Sequence, residues 1–254
     1  MKFEISDTPR ETLGIVGFGA FGKLIAQSLS GHFELFAYDP VSNLEDIAAE
    51  LGVSLTSLTK VAQCDVVVIA APVSSFEDVV TSVAAVCRPG ALIVDVGSVK
   101  VQAAEIMERI LPDHVDVVAT HPLFGPQSAR DGIRGLKIAV CPIRGGRHLP
   151  LAAFLRKHLG LHVIMTTPHD HDREAATVQG LTHLIAKVLL SMAPLPSRMT
   201  TRSFELLVDS ISMVQNDAPE VFQAIEKANP YTEDVRRRFF NLAHELSVDL
   251  ESRT

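Results

Sequence analysis

Short apolar runs alternate with helix-like stretches from Leu13 to about Thr166. The runs cover residues 13–16, 33–38, 65–70, 91–96, 115–119, 137–140 and 162–165. The run Val66–Ala71 contains no polar residue, which is typical of a strand that is covered on both faces. Because strands that alternate with helices favour parallel pairing through helical crossovers, the pattern predicts an α/β fold with a doubly wound, mainly parallel sheet.

The pattern changes after Thr167–Pro168, because the remaining residues show helical spacing and no convincing strand. We therefore predict two domains: residues 1–167 form the sheet domain, and residues 168–254 form a smaller all-helical domain. The first helix of the second domain is expected to begin near Asp170 or Asp172. Further helices are expected over residues 203–214, from a start capped by Asp217 at residues 217–220, and after residues 229–230.

The predicted helices carry more apolar positions than they can bury among themselves. The first has an apolar stripe, and the last is expected to bury another. The two stripes are Val178, Leu181, Ile185, Val188 and Met192, and then Phe239, Leu242, Ala243 and Leu246. We therefore expect a homodimer that forms through the helical domain.

Composition and charge exclude several classes of partner. Hydrophobic residues make up 47% of the 254 residues, and the formal net charge is −7. An acidic chain repels nucleic acid and anionic membranes, so neither is an expected partner. Residues 1–7 lack the order of a signal peptide and no apolar run reaches membrane-spanning length, which predicts a cytoplasmic protein. The three cysteines, Cys64, Cys87 and Cys141, show no CxxC spacing, so we expect small core residues and neither a disulfide nor a zinc site.

A glycine-rich turn joins the first predicted strand to a helix-like stretch. Residues 17–22 have the sequence GFGAFG, and Asp39 ends the second strand twenty residues after Gly19. Such glycines permit a tight turn, the approach of backbone amides to a pyrophosphate, and close packing of helix on strand. In this context the turn predicts a Rossmann-type dinucleotide site. Asp39 would accept hydrogen bonds from a ribose, which favours NAD, with NADP as the alternative.

Two later strand ends are expected to face the same crevice, because ligands of doubly wound sheets bind beyond the carboxyl ends of the strands. One is residues 71–73, and the other is residues 95–100, which present Gly97, Ser98 and Lys100 together. Ordinary strand-to-helix loops contain the same residue types, so this interpretation has a plain alternative. The residues predicted to contact the cofactor are Gly17, Gly19, Ala20, Phe21, Gly22, Asp39, Ala71, Pro72, Val73 and Gly97.

A histidine follows another buried-looking strand, in the segment THPLFGPQSA of residues 120–129. His121 would reach the cofactor cleft there, and an imidazole can take a proton as hydride leaves an alcohol carbon. A histidine at a strand end is about as often a hydrogen-bonded structural residue. The residue alone leaves both interpretations open.

Four motifs together resemble those of the prephenate/arogenate dehydrogenase family of tyrosine biosynthesis. They are Gly17-x-Gly-x-x-Gly22, residues 95–100 (DVGSVK), residues 121–126 (HPLFGP) and residues 179–183 (QGLTH). They occur in the family's order and approximate spacing over nearly the whole chain. The segment of residues 200–205 replaces an arginine-bearing helix of other bacterial members, so the chain looks most similar to the plant-like branch.

The resemblance implies an NAD(P)-dependent oxidative decarboxylation of prephenate to 4-hydroxyphenylpyruvate, or of arogenate to tyrosine. His121 matches the family's catalytic histidine, and Ser98 matches the serine that hydrogen-bonds this histidine and the ring hydroxyl of the substrate. His121 would take the hydroxyl proton as hydride leaves, and loss of carbon dioxide would make the ring aromatic. The choice of acid stays open, as does the cation for the substrate's side-chain carboxylate, with candidates Arg198, Arg202 and Lys187.

The first predicted helix of the second domain also carries a polar stripe. Gln179, His183 and Lys187 are spaced four residues apart, with Thr182 beside them. With the family resemblance we expect this face to line a substrate cleft; without it, a solvated helix face is the simpler interpretation. The residues predicted to bind the substrate are Gln127, Ser128, Gln179, Thr182, His183 and Lys187, the first two from the loop opposite.

Two other functions compete with this one. A beta-hydroxyacid or imine-type dehydrogenase would use a helix residue such as Lys187 or Asp172 for the proton, and would leave the His121–Pro122 element unexplained. A dinucleotide-sensing module without turnover would need neither His121 nor Ser98. The run at residues 236–238 is interpreted as a solvated helix face. No metal is predicted, because His158, His162, His169 and His171 share no helical face.

Overall fold

In the computed structural model, which describes residues 10–252, one sheet of eight strands forms the centre of the molecule. The strands are β1 (Thr12–Val16), β2 (Glu34–Tyr38), β3 (Val53–Leu55), β4 (Val66–Ile69), β5 (Leu92–Asp95), β6 (Asp116–Pro122), β7 (Lys137–Arg144) and β8 (His162–Met165). Their order is β3-β2-β1-β4-β5-β6-β7-β8, and every neighbouring pair is parallel except β6 with β7. The predicted doubly wound, mainly parallel sheet is confirmed.

Helices cover both faces of this sheet. Those that lie between the strands are α1 (Ala20–Leu29), α2 (Glu45–Glu50), α3 (Leu58–Ala62), α4 (Phe76–Ala84), α5 (Val101–Ile110) and α6 (His148–Lys157). Helices α1, α2 and α6 pack on one face, and α3, α4 and α5 on the other. Along β4, Val66 and Val68 join the first core and Val67 and Ile69 the second, which explains why this strand is wholly apolar.

Two strands differ from the sequence prediction. The short strand β3 was not predicted, because its three residues, VSL, are too few for a pattern and include a serine. Strand β6 continues to Pro122, so His121 lies within the strand rather than after it, and its register partner is Ala139 on the antiparallel β7. Pairing with β7 therefore holds the backbone at His121, while the pairing of β6 with β5 ends at Ala119.

Four helices follow the sheet: α7 (Pro168–Ser191), α8 (Arg202–Val214), α9 (Pro219–Gln223) and α10 (Thr232–Ser252), with a π-helical turn over Ala224–Ala228. Helix α7 begins two residues before the predicted Asp170, because the Thr167 side chain accepts a hydrogen bond from the Asp170 N–H and caps it. The change from strands to helices falls between Met165 and Pro168, while the division into two domains stays a prediction.

Two predictions for the helices after the sheet are wrong in detail: the cap at Asp217 and the buried apolar stripe on the last helix. Ala218, not Asp217, precedes α9, and no side chain caps that helix. On α10, Leu242 and Leu246 are 54% and 59% exposed, although the pattern predicted burial. The stripe on α7 is also largely open, with Val178 67% and Met192 64% exposed. A period of 3.6 residues shows that a helix has an apolar face but not which surface covers it.

Further sequence expectations concern membrane spans, a signal peptide and the three cysteines. Within residues 10–252, every helix is too short or too polar to cross a lipid bilayer. The prediction that residues 1–7 carry no signal peptide lies outside the described residues. Cys64, Cys87 and Cys141 are free and buried, as core residues are expected to be, and burial raises the pKa of Cys141 to about 12.

Candidate active site

The glycine-rich turn connects β1 to α1 and depends on two close backbone approaches. Gly17 has a φ of +99°, and a Cβ atom there would lie 2.6 Å from the carbonyl oxygen of Ala70. A Cβ atom on Gly22 would overlap the carbonyl oxygen of Gly17. At Gly19, by contrast, a Cβ atom would meet nothing within 4 Å. The first and third glycines therefore shape the turn, and the second faces open space at the N-terminus of α1.

Asp39 lies beside this turn, as the sequence predicted. Its Oδ2 atom accepts a hydrogen bond of 2.6 Å from the Phe18 N–H, and its Oδ1 atom accepts one of 2.8 Å from the Val41 N–H. Each carboxylate oxygen keeps lone-pair capacity for a further donor. The Ala71 backbone nitrogen lies 3.2 Å from the Cβ position of Gly17, so the start of the 71–73 segment also borders the turn.

The loop after β5 is organised around a buried ion pair. Lys100 is 0% exposed, and its ammonium donates to the Asp95 carboxylate and to the Thr120 carbonyl. Asp95 also accepts a hydrogen bond from the Gly97 N–H. Burial raises the pKa of Asp95, against the opposing effect of the Lys100 charge. Lys100 therefore supports the loop instead of facing the crevice with Gly97 and Ser98 as the sequence suggested, while Ser98 is half-buried.

His121 sits at the centre of a buried hydrogen-bonded chain. It is 4% exposed, and its Nδ1 atom lies 2.8 Å from Nε2 of His171. The Nδ1 atom of His171 lies 2.8 Å from Oδ1 of Asp172. On the other side of the ring, Nε2 of His121 lies 3.4 Å from Nε2 of Gln179. The start and the fourth turn of α7 thus hold the ring from two sides.

The environment of His121 keeps its ring uncharged. Burial lowers the pKa of His121 well below 6.5, and the neighbouring His171 and Lys100 act in the same direction. A neutral imidazole has one nitrogen without hydrogen, so this ring can accept a proton.

Asp172 joins this chain of hydrogen bonds to the N-terminus of α5. It is 0% exposed, and its two oxygens accept hydrogen bonds of 2.8 and 2.9 Å from the N–H groups of Lys100 and Val101, at the N-terminus of α5. His171 was not predicted from the sequence as a site residue and was considered only as a metal ligand. One signal for it was available, since residues 171 and 172 lie two turns before Gln179 on one predicted helix.

Two of the predicted substrate residues lie together on α7. Gln179 is half-buried beside His121, and its Oε1 atom is buried without a hydrogen-bond partner among the described residues. His183 is buried, with Nδ1 2.9 Å from the Gln179 carbonyl and Nε2 3.3 Å from Oδ2 of Asp217. Burial lowers the pKa of His183, but the hydrogen bonds to Asp217 and Gln179 outweigh this effect and raise it.

The other predicted substrate residues lie at the surface. Thr182 is exposed and donates a hydrogen bond to the Val178 carbonyl, and the ammonium of Lys187 lies 5.3 Å from the centre of the Phe222 ring. Ser128 donates to and accepts from the backbone of Gly125, and Gln127 is exposed in the same turn. The nitrogens of His121 contact His171 and Gln179, so a contact with Ser98 stays a prediction.

An apolar cavity of about 330 Å³ lies elsewhere, between α1 and α6. Its lining includes Thr120 and Pro122 but not His121, because neighbouring side chains of a strand point to opposite faces. Over residues 10–252, no group of three or more His, Cys, Asp or Glu is arranged to bind a metal ion.

Comparisons with known proteins find similarity to one class of dehydrogenase. A family model described as Prephenate dehydrogenase, nucleotide-binding domain, matches residues 28–137. Arogenate dehydrogenase 1, chloroplastic, of Arabidopsis thaliana is 28% identical over 98% of this chain and 40% of that protein. A probable arogenate/prephenate dehydrogenase of Methanocaldococcus jannaschii is 27% identical over 93% of this chain and 56% of that protein. The chain thus spans about half the length of these relatives.

Solved structures share the fold. The prephenate dehydrogenase from A. aeolicus in complex with hydroxyphenyl propionate and NAD+ matches with a TM-score of 0.74 and 22% identity, over 97% of this chain and 94% of that one. The Synechocystis arogenate dehydrogenase matches with a TM-score of 0.68 and 18% identity, over 94% and 93%. The family model and the curated relatives, plant-type proteins among them, support the prephenate/arogenate dehydrogenase family for this chain.

Proposed function

We propose that the chain catalyses the oxidative decarboxylation of prephenate or arogenate, with a nicotinamide dinucleotide as the hydride acceptor. The observation that carries this proposal is the buried, uncharged imidazole of His121 at the carboxyl end of β6. A general base must be neutral and within reach of the proton it takes. Curated relatives named arogenate and prephenate dehydrogenases support the same function.

The proposed reaction requires little covalent chemistry from the protein itself. When bound, the nicotinamide ring accepts the hydride that leaves the hydroxyl-bearing ring carbon. His121 takes the hydroxyl proton at Nε2. The bond from the ring to its carboxylate breaks, carbon dioxide leaves, and the electron pair makes the ring aromatic, after which His121 returns the proton to the ring oxygen. Because aromatisation drives the reaction, the remaining residues need only orient the ring, bind its anionic groups and exclude water.

The glycine-rich turn suits a dinucleotide. The open space beside Gly19 and the free amides at the start of α1 favour a pyrophosphate, and the start of the helix carries no acidic residue that would repel it. We propose that NAD is preferred, because the Asp39 carboxylate accepts from ribose hydroxyls and repels a 2′-phosphate. The proposed cofactor-contacting residues are those predicted from the sequence: Gly17, Gly19, Ala20, Phe21, Gly22, Asp39, Ala71, Pro72, Val73 and Gly97.

We place the substrate between His121 and α7. The Oε1 atom of Gln179, which has no hydrogen-bond partner among residues 10–252, offers an acceptor to a substrate group. The raised pKa of His183 favours a positive charge that would attract a carboxylate. Ser98 is proposed to contact the ring hydroxyl. Gln127, Ser128, Thr182 and Lys187 lie farther out, so we propose contacts with the outer part of the substrate for them.

We propose that the active form is a homodimer that is held together by the helical domain, residues 168–254. Large apolar side chains of this part are exposed, among them Leu206 and Met213 on α8 and Phe240, Leu242 and Leu246 on α10. Their burial against a second copy would remove this apolar surface from water. A monomeric mass in light scattering at micromolar concentration would contradict the dimer.

The test is the absorbance of reduced cofactor, with prephenate and arogenate each crossed with NAD and NADP. Turnover of either acid supports the proposed function and also gives the substrate and cofactor preference. If all four combinations are silent while the cofactor binds, the function is wrong. The beta-hydroxyacid alternative is less favoured, because Lys187 lies on the Phe222 ring and Asp172 is held by two backbone N–H groups.

A further inference from the structure

We propose that His171 and Asp172 form a proton relay behind His121, in which His171 positions the His121 ring and shares the proton that His121 accepts. The proposal deepens the proposed function, because it assigns a role to two residues that touch neither cofactor nor substrate. Its basis is the continuous path from Oδ1 of Asp172 through both nitrogens of His171 to Nδ1 of His121, with two contacts of 2.8 Å.

The direction of each hydrogen bond follows from Asp172. Both of its oxygens accept hydrogen bonds from backbone N–H groups, of Lys100 and of Val101, which stabilise the ionised carboxylate. A carboxylate only accepts, so Nδ1 of His171 carries hydrogen and donates to it. In the neutral ring, Nε2 of His171 is then the acceptor, and Nδ1 of His121 must be its donor.

This assignment leaves Nε2 of His121 without hydrogen. The lone pair of this atom accepts a hydrogen bond of 3.4 Å from the amide nitrogen of Gln179, on the side of the ring away from His171. A substrate hydroxyl that approaches along α7 would therefore meet Nε2 of His121, the ring nitrogen that carries no hydrogen and can accept the proton. His171 is 6% exposed and cannot itself reach the substrate, so it acts through His121 as a positioning residue.

The same path disperses the charge of the protonated base. When Nε2 of His121 takes a proton, the hydrogen on Nδ1 can move to Nε2 of His171, and the positive charge then lies beside the Asp172 carboxylate. No atom is gained or lost in this shift. The other charges near the ring are those of Lys100 and Asp95, which pair with each other. Asp172 is therefore the unmatched anion available to an imidazolium that would otherwise be buried alone.

The first test compares His171→Gln with His169→Gln, a matched control on the same helical turn whose exposed ring contacts Tyr231. We expect His171→Gln to lower kcat at least about tenfold, the lower end of general-base effects, with an unchanged KM for NAD. The acidic limb of kcat/KM should move, because His121 loses the residue that links it to the Asp172 carboxylate. A fall in kcat without movement of this limb would overturn the relay.

A double variant separates a relay from simple packing. In a His121→Asn background, His171→Gln should have no further effect on the residual turnover, because the relay acts only through His121. An additional loss equal to that of the single variant would contradict the proposal.

Side-chain nitrogen NMR of 15N-histidine-labelled wild-type protein tests the relay without a measurement of turnover. It therefore remains informative if His171→Gln does not fold. Signals are assigned by their loss in His121→Asn. We expect hydrogen on Nδ1 of both His121 and His171; hydrogen on Nε2 of His121 would overturn the relay. If neither acid is turned over, the proposed function fails, and the NMR result still decides the relay independently.

Discussion

His183 and Asp217 join α7 to the turn before α9, with Nε2 of His183 3.3 Å from Oδ2 of Asp217 although 34 residues separate them. The opposite nitrogen of the ring faces the Gln179 carbonyl, so both nitrogens face acceptors. The protonated ring can donate to both, which is why its pKa is raised despite burial. This pair fixes the turn of α7 that also carries Gln179.

The pair predicts a pH-dependent stability. Because the folded pKa of His183 lies above its unfolded value of about 6.5, its contribution is complete below that pH and is lost as pH rises through the folded pKa. Asp217→Asn should therefore lower the free energy of unfolding by about 1 kcal/mol near pH 6 and by less near pH 9. Urea unfolding at both pH values measures this, and an equal loss at both would contradict the pair.

His121→Asn should lower the turnover number by about tenfold to a thousandfold, the usual scale for loss of a general base. Asparagine cannot take a proton at neutral pH, but it keeps the volume of the site near that of histidine. Titration of NAD should give an unchanged Kd. His169→Asn is the matched control and should keep full turnover; unchanged turnover in His121→Asn would reject the assigned base.

Asp39→Ala should weaken NAD binding more than NADP binding. The variant removes an acceptor for the ribose hydroxyls and also a charge that repels a 2′-phosphate, so the two affinities should converge. Binding titrations with both cofactors measure the ratio. An equal loss for both would count against a contact between Asp39 and the ribose and would favour a role limited to the Phe18 and Val41 N–H groups.

Alanine substitutions at two glycines of the same turn should affect different properties, the melting temperature at Gly22 and the affinity for NAD at Gly19. Gly22→Ala should lower the melting temperature, because its Cβ would overlap the Gly17 carbonyl oxygen. Gly19→Ala has no such clash and should leave the melting temperature unchanged while it lowers the affinity for NAD. Thermal melting and NAD titration of both variants check the pair. Full NAD affinity in Gly19→Ala would move the pyrophosphate away from this turn.

Lys100→Met should destabilise the fold by about 3 to 5 kcal/mol, because it leaves the Asp95 carboxylate buried without its cation. Asp95→Asn in the same chain should restore part of this loss, since an amide carries no charge and its oxygen can still accept from Gly97. The control is Arg109→Met, which breaks an exposed pair with Glu77 and should cost no more than about 1 kcal/mol. Urea unfolding compares them; equal costs would contradict a structural role for Lys100.

The sequence best predicted the helices and strands in which buried residues recur at a regular spacing. The run Val66–Ala71 indicated a strand covered on both faces, and Val66 and Val67 indeed pack into different cores. Helix α8 covers almost the predicted residues. The short β3 and the outward face of α10 were not predictable in this way, because the first is too short for a period and the second depends on what lies beside it.

Local spacing determined the mainly parallel sheet, the glycine-rich turn and the position of His121 at a strand end, because each depends on neighbours within a few residues. Only the tertiary structure decided that Lys100 pairs with Asp95 inside the core, that Asp217 binds His183 instead of capping α9, and that His171 and Asp172 stand behind His121. The contacts of His183 with Asp217 and of His121 with His171 and Gln179 join residues that lie 34 to 58 positions apart. Such pairs form only when helices and strands pack, since a side chain's partner across an interface is set by the distance and direction of both backbones and not by the period of either segment.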